Sequence, residues 1–452
     1  MWIERPEKKR KFIQDLLNLD KQVLILRGAR QVGKTSFILN VLNDLKEYPQ
    51  LKLNLLYPTS FSHSSQNYLG RDFFGSKPNG EEFLKNISIE LGNINNLSKP
   101  AIIFLDEVDR HPLVLEAVQS LAEFSANLKF IFTGSNLENI LVENAATGRK
   151  KYFDLYPITY QEFLLASGQT KLINELNSFS LTNSAFSDYL HDQLLKNVEI
   201  YVRIGGMPRV ISTYLDSSAQ AIPEIIKDLV ISIEENVKIV LGDKSKLYEY
   251  EDILRKIAWL SLNTLKYTNL QVQHAGRKEA KKLVFKTVGA RVAHKIRLLN
   301  TDSDLSKYIL FDCGITNYLL SGADLLRSVI NERAWAVLWE TFVGIELVST
   351  LFDRADLFYW KSGNKAELEY LLRSPKLAGI DVKTSKGDNK SLASFAVFEP
   401  QANCLVKICQ DKPNLNYNYQ AKLPTLDKQR NIPLLTLPHY LTSRLPELLD
   451  EI

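Results

Sequence analysis

The first third of the chain alternates short, continuously apolar runs with stretches of helical period. Val23, Leu24, Ile25 and Leu26 form one such run, ending at Arg27 and Gly28. Apolar positions Phe37, Ile38, Val41, Leu42 and Leu45 then repeat at helical spacing, predicting strand, loop, helix. A second run, 51–57, stops at Pro58, and 58–80 is rich in Ser, Gly and Asn without a period, predicting a long loop with a short helix at most. Two more buried strands are expected at 101–105 and 129–133, separated by the helical pattern Leu113, Ala117, Leu121, Phe124. Strands alternating with helices predict a parallel sheet covered on both faces. From Tyr160 the leucine spacing suits helices, and 230–320 continues this with a helix at 253–262 and a strand at 308–311. After Val329 a helix carrying Trp335, Leu338, Trp339, Phe342, Val343 and Leu347 precedes strands near 357–360, 367–372 and 379–382. At about 150 residues per domain, 452 residues agree with three units, 1–165, 166–325 and 326–452.

Composition narrows the class. With 45% hydrophobic, 24% charged and 10% aromatic residues the chain is globular, neither collagen-like nor a coiled coil. Its three cysteines form no CxxC pair and stand far from any histidine, which excludes a disulfide framework or zinc site. The longest uncharged run, 53–70, is too polar to span a bilayer, and the N-terminus lacks a signal-peptide pattern, so a cytoplasmic protein without membrane contact is expected. A net charge of +4 is too small to imply a polyanionic partner for the whole chain.

Candidate chemistry begins at Gly28-Ala29-Arg30-Gln31-Val32-Gly33-Lys34-Thr35, which satisfies GxxxxGK[ST] between the expected strand and helix. The glycines let successive N–H groups face an anion, and the helix starting near Lys34 adds the positive end of its dipole. Lys34 would reach the β and γ phosphates of ATP, Thr35 would complete a Mg2+ shell, and Ser36 closes the binding segment. The 101–105 run ends in Asp106, a magnesium-shell candidate, and Glu107, placed to polarise an attacking water. Ser135, in the polar end Thr133-Gly134-Ser135-Asn136 of the next strand, can sense the γ phosphate.

Together GARQVGKT, FLDEVD, FTGS and TGRKKYFDLYPITYQEFL resemble the prokaryotic AAA-type ATPases of the archaeal-ATPase-like group. The resemblance implies a P-loop NTPase sheet, ATP and Mg2+ as cofactors, and a transition-state role for Arg149, in cis or from a neighbouring subunit of a homo-oligomer. Asp109 stands where the family commonly has Gln. Further motifs, Tyr201 to Pro208 (YVRIGGMP) and Tyr308 to Gly314 (YILFDCG), look like the DUF4143 region that follows this ATPase domain, with a winged-helix-like module between them. In that place stands a basic stretch, Arg277 to Arg297, with eight Lys or Arg against one acid, Glu279. It is either a DNA phosphate-binding segment or a solvated face.

In the last unit Glu369 on one expected strand, Asp381 and Lys383 on the next, and Glu340 or Glu346 on the preceding helix form a carboxylate–lysine set. Such a set can hold magnesium while the lysine polarises a water or phosphate oxygen for phosphodiester cleavage. It resembles the PD-(D/E)xK nuclease fold, with the Asp and Glu identities exchanged at 369 and 381. The expected function is an ATP-hydrolysing protein whose nucleotide state controls a nuclease-like α/β domain acting on DNA. The alternative is a nucleotide-dependent switch whose last domain binds a partner and cuts nothing.

Overall fold

The computed structural model describes residues 2–63, 66–74, 79–111, 113–114, 117–118, 121, 127–134, 150–182, 186–241, 247–261, 263–265, 270, 277–300, 305–322, 325, 331–351, 357–363, 366–373, 376–384, 387–423 and 427–452. In the first unit, helix α1 (Pro6–Leu17) precedes β1 (Val23–Arg27), α2 (Lys34–Asp44) and β2 (Gln50–Asn54). After them come β3 (Phe61–His63), β4 (Gln66–Tyr68), α3 (Gly80–Leu91), β5 (Ala101–Asp106), β6 (Leu128–Thr133) and β7 (Lys150–Asp154). Five of these strands form an all-parallel sheet in the order β2-β5-β6-β1-β7. Its two faces are both apolar: Leu24 and Leu26 join one core, Val23 and Ile25 the other. That double burial is why the strands read as unbroken apolar runs.

Three features depart from the sequence reading. α1 covers one face through Phe12, whose ring packs edge-on against Phe37 and Phe153 at 5.5 and 5.1 Å. β7 is an edge strand opened by Lys150 and Lys151, so its apolar signal is short. The expected loop 58–80 contains the β3–β4 hairpin, closed by Phe61 stacked on Tyr68 at 5.1 Å and pinned to the sheet by Leu69 N–H donating to the Lys52 carbonyl.

Helices α4 (Tyr160–Ala166), α5 (Thr170–Ser178), α6 (Asp188–Ile204), α7 (Pro208–Leu215), α8 (Ile222–Leu241), α9 (Leu247–Leu260) and α10 (Arg277–Gly289) build the middle region. A hairpin follows, β8 (Ala293–Leu298) and β9 (Ser306–Leu310), and Leu265 bridges to Ser306 beside it. The basic stretch is therefore a helix followed by a strand. Next come α11 (Cys313–Ser321), α12 (Glu332–Thr350), β10 (Leu357–Ser362), β11 (Ala366–Leu372) and β12 (Ala378–Val382). The chain finishes with α13 (Lys390–Phe398), β13 (Cys404–Cys409), β14 (Asn414–Leu423), β15 (Lys428–Pro438) and α14 (Leu445–Asp450).

The second large sheet is mixed, in the order β14-β15-β13-β12-β11-β10-β8-β9. β8 runs parallel to β10, with Arg297 opposite Phe358 and Leu298 opposite Tyr359. The hairpin of the middle region is thus one end of the C-terminal sheet, across the division read at 325/326. α12 is buried on nearly all sides between this sheet and the helices. Cys313, Cys404 and Cys409 are buried free thiols. Among the described residues no helix is long and apolar enough to cross a membrane.

Candidate functional sites

The first site is made by eight consecutive residues. β1 delivers the chain to Gly28, where a Cβ would stand 2.3 Å from the Leu155 carbonyl oxygen, and Gly33 adopts φ +89° to open α2. Both positions need glycine. Ala29 and Val32 anchor the loop in the core, while Ser36 is exposed on the first turn. Lys34 folds back over the loop, its Nζ donating to the carbonyls of Gly28 at 2.9 Å and Ala29 at 3.0 Å. Burial pulls its ammonium down to about 8, against the opposing pull of Glu107, then Asp106 and Asp109. Loop residue Gln31 donates to Ser232 Oγ on α8 at 2.8 Å, and Pro208 at the start of α7 lies against Gly33, 3.6 Å from where its Cβ would be.

Asp106 ends β5, between β2 and β6, at the sheet's carboxyl edge. Thr35 Oγ1 donates to its Oδ2 at 2.9 Å, Asn54 Nδ2 to the same oxygen at 3.3 Å, and Thr133 Oγ1 to Oδ1. Parallel register brings these strand ends together: Asn54 pairs with Asp106, and Thr133 with Leu26. The sequence reading missed Asn54 and the Thr133 contact, although each is the polar last residue of its strand. Glu107 follows in a left-handed conformation, φ 57°. Thr35 and Asp106, a hydroxyl and a carboxylate 2.9 Å apart beside the phosphate loop, fit a magnesium shell. Ser135 and Arg149 lie outside the described residues.

Behind the loop, residues 155–160 tie the start of the chain to Gly206 and to α12. Arg5 donates to the carbonyls of Tyr156 and Pro157 and pairs with Glu162 at 2.8 Å. Ile158 N–H donates to the Gly206 carbonyl at 2.7 Å, and Gly206 N–H to Asp312 Oδ2 at 2.7 Å. The YVRIGGMP and FDCG motifs therefore meet at a buried aspartate, whose acid burial pushes up to about 6. Tyr160 N–H donates to Glu346 Oε1 at 3.0 Å. Glu346 belongs to this junction, facing Tyr160, which leaves Glu340 as the acid that α12 offers to the second site.

The second site is assembled from four elements. Register sets Tyr370 opposite Ile380, so Glu369 follows next to Asp381, and Glu369 Oε2 accepts from Val382 N–H at 3.1 Å. A bulge sets Glu369 and Tyr370 against the single residue Tyr359 of β10, re-aiming both side chains. Asp381 is 1% exposed, and Lys383 Nζ stands 2.9 Å from its Oδ1. Neither Asp381 oxygen receives a hydrogen bond of good geometry. Burial, then the neighbouring Glu369 carboxylate, raises Asp381 to about 7. Burial likewise raises Glu340 well above the carboxylate range, with Glu369 adding to the effect and Lys307 opposing it.

Lys307 was not expected from sequence. It reaches in from β9, 3% exposed, pairing with Glu367 at 2.7 Å. Burial works against its charge, but Glu340, Glu369 and Glu367 hold its affinity for the proton above the usual lysine value. Among the described residues no group of three or more His, Cys, Asp or Glu has metal-holding spacing. Two facing carboxylates, Glu369 and Asp381, remain, and magnesium commonly takes one or two carboxylates with the rest of its shell from water and substrate phosphate.

A ladder of rings links the junction to this cluster. The Arg203 guanidinium lies over Trp335 at 4.8 Å, Trp335 stacks on Trp339 at 5.7 Å, and Trp339 on His439 at 4.0 Å. Burial keeps His439 neutral by lowering it to about 3, and the backbone of Lys383 and Cys409 borders its ring.

The basic stretch divides in two. On α10, Lys278, Lys281, Lys282 and Phe285 are exposed while Ala280, Leu283, Val284 and Thr287 are buried. Arg291 instead turns inward to within 3.6 Å of Asp154, which also holds Arg27 in a two-pronged pair at 2.9 Å.

Residues 20–164 match the family model of an AAA domain. The uncharacterized protein MJ1637 of Methanocaldococcus jannaschii is 25% identical over 213 residues, which is 45% of this chain and 41% of that protein. This chain thus spans less than half of the curated relative's length. Drosophila ORC bound to DNA aligns over 70% of this chain and 85% of its own at 12% identity, TM-score 0.27. Pif1 helicase from Candida albicans aligns over 43% and 48% at 13% identity, TM-score 0.25. The parallel sheet and family match make residues 20–164 an AAA-type domain of the P-loop fold.

Proposed function

We propose that this chain binds and hydrolyses ATP and passes its nucleotide state to a nuclease-like C-terminal domain that acts on DNA. The observation that carries the reading is the pairing of a back-folded Lys34 with the Thr35–Asp106 contact. Lys34 already points along the loop, and its partial desolvation makes a phosphate a better partner than two carbonyls. Thr35 and Asp106 would hold magnesium, which supplies charge neutralisation at the β and γ phosphates when bound. Asn54 and Thr133 fix the Asp106 carboxylate, so that group needs no reorganisation. Glu107 is the carboxylate that acts most on Lys34, which supports its role as the base orienting water toward the γ phosphate. Ser135 as a γ-phosphate sensor and Arg149 as a cation, in cis or from a second subunit, complete the proposal.

For the C-terminal domain, Asp381 and Glu369 would hold the metal and Lys383 would face the scissile phosphate, with Glu340 behind them. Helices α8 to α10 with the β8–β9 hairpin would form the winged-helix-like module, and the lysines of α10 would carry DNA phosphate contacts. Pro208 on Gly33 and the Arg203–Trp335–Trp339–His439 ladder supply a contiguous physical route between the sites. A second reading is favoured by Lys307, because a lysine already neutralises part of the acid cluster: the domain then binds a partner without cutting. Magnesium-dependent DNA cleavage, measured with and without ATP for the native chain and Lys383→Ala, separates the two. Cleavage abolished by Lys383→Ala supports the nuclease; no cleavage by the native chain, with ATP hydrolysis intact, supports the switch.

A further inference from the structure

Helix α10 presents a basic face with an aromatic ring to solvent. Lys278, Lys281, Lys282 and Phe285 fall at i, i+3, i+4 and i+7, which places them on one stripe about 10 Å long. All four are exposed, and Phe285 is 64% exposed although the same helix buries Leu283 and Val284 fully. An isolated exposed aromatic needs no explanation, but here it stands one turn from two lysines and two turns from a third.

We infer that this stripe grips nucleic acid with unpaired bases, Phe285 stacking on a base while the lysines hold the adjoining phosphates. This deepens, and rests on, the nucleic-acid reading of the basic stretch. The chemistry requires phosphates and an open base face within the same 10 Å. A single strand offers both, whereas in a duplex the base faces are covered by their neighbours and only edges are open. An anionic membrane surface is the weaker match, because the apolar side of α10, Ala280, Leu283 and Val284, is packed inside the protein. One ring is left to enter lipid, where interfacial helices use a whole apolar face.

The test is fluorescence anisotropy of the full chain with a labelled 20-nucleotide single strand, with its duplex, and with phosphatidylserine-containing vesicles. Phe285→Ala should weaken single-strand binding about 5- to 100-fold, the range for one lost base stack, and leave duplex binding unchanged. Phe285→Trp should keep or improve it. Equal weakening on both DNAs, no weakening at all, or binding to vesicles alone overturns the inference. Lys278→Glu, Lys281→Glu and Lys282→Glu together address the parent reading: if they leave all DNA binding and its salt dependence intact, α10 is not the nucleic-acid surface and both fall. If they abolish binding while Phe285→Ala changes nothing, only the stacking role is lost. Because Phe285 is exposed, its variants should keep the native circular dichroism.

Discussion

The phosphate loop and the C-terminal acid cluster are opposite solutions to holding charge. The loop presents a lysine and saturates its acid: Asp106 accepts from Thr35, Asn54 and Thr133 side chains. The cluster leaves its acid hungry: Asp381 is as buried, yet among the described residues Lys383 is the one cation paired with it, and Glu369 stands beside it. The first is organised for an anion before any arrives. The second is organised around a deficit of positive charge, which Lys307 meets in part. The lesson is that similar burial of two aspartates leaves them with different numbers of donors, and where donors are few burial and a like charge raise the proton affinity, as at Asp381.

The comparison breaks most sharply at turnover. Glu107→Gln keeps size and hydrogen-bonding capacity but removes the base, so hydrolysis should fall by about 10²- to 10⁴-fold with ATP binding retained. Steady-state phosphate release alongside equilibrium nucleotide binding checks this, and unchanged turnover would move the base to Asp109. Lys34→Ala comes next. It removes the cation facing the β and γ phosphates, so ATP affinity should drop about 30- to 1,000-fold by titration with a fluorescent nucleotide. Equal affinity in the two proteins would undo the anion-site half of the comparison.

A third experiment sharpens the contrast through pH. Burial and the Glu369 carboxylate push folded Asp381 up to about 7, against 3.8 for an ordinary aspartate, so the folded state holds the extra proton between these values. Its contribution to stability is therefore full below about pH 4 and is lost as pH rises through about 7. Asp381→Asn cannot lose that proton, and its melting temperature should exceed that of the native chain at pH 8, by about 2–4 °C for each kcal/mol regained, but not at pH 4. Scanning calorimetry at the two pH values reads the difference, and a parallel loss in both proteins would place the titration elsewhere. The smallest effect is optical. ATP binding should alter tryptophan emission through the Trp335–Trp339 stack, and Arg203→Ala, which removes the cation at its end, should diminish that change without altering ATP affinity.

How far each site was legible follows from how it is made. The phosphate loop is contiguous, so its glycines, Lys34 and Thr35 could be read directly, and its strand context followed from unbroken apolar runs. Asp106 and Glu107 were legible as acids ending such a run. β7 and the β3–β4 hairpin were not, because edge strands with Lys150, Lys151 or alternating Ser, Asn and Gln carry little apolar signal. In the cluster, Glu369, Asp381 and Lys383 could be paired by strand alternation, but the choice between Glu340 and Glu346 depended on which way α12 turns. Only packing decides that, and it sends Glu346 to Tyr160. Lys307 was hidden for a similar reason: a lysine beside Tyr308 and Ile309 reads as strand surface until β9 is placed at the end of the larger sheet.

The hairpin β8–β9 sets the order in which the protein can be completed during synthesis. Its lengthwise partner β10 begins at Leu357, about 50 residues after β9 ends. At ribosomal speed of roughly 5–20 residues per second, the edge of β8 that will receive Phe358 and Tyr359 waits about 2–10 s for its neighbour. During that interval an open strand edge is exposed beside a finished AAA-type domain, a template for mispairing with other nascent chains. A gene fragment stopped near residue 325 would make the wait permanent, and its product should be recovered as aggregate or bound to chaperones.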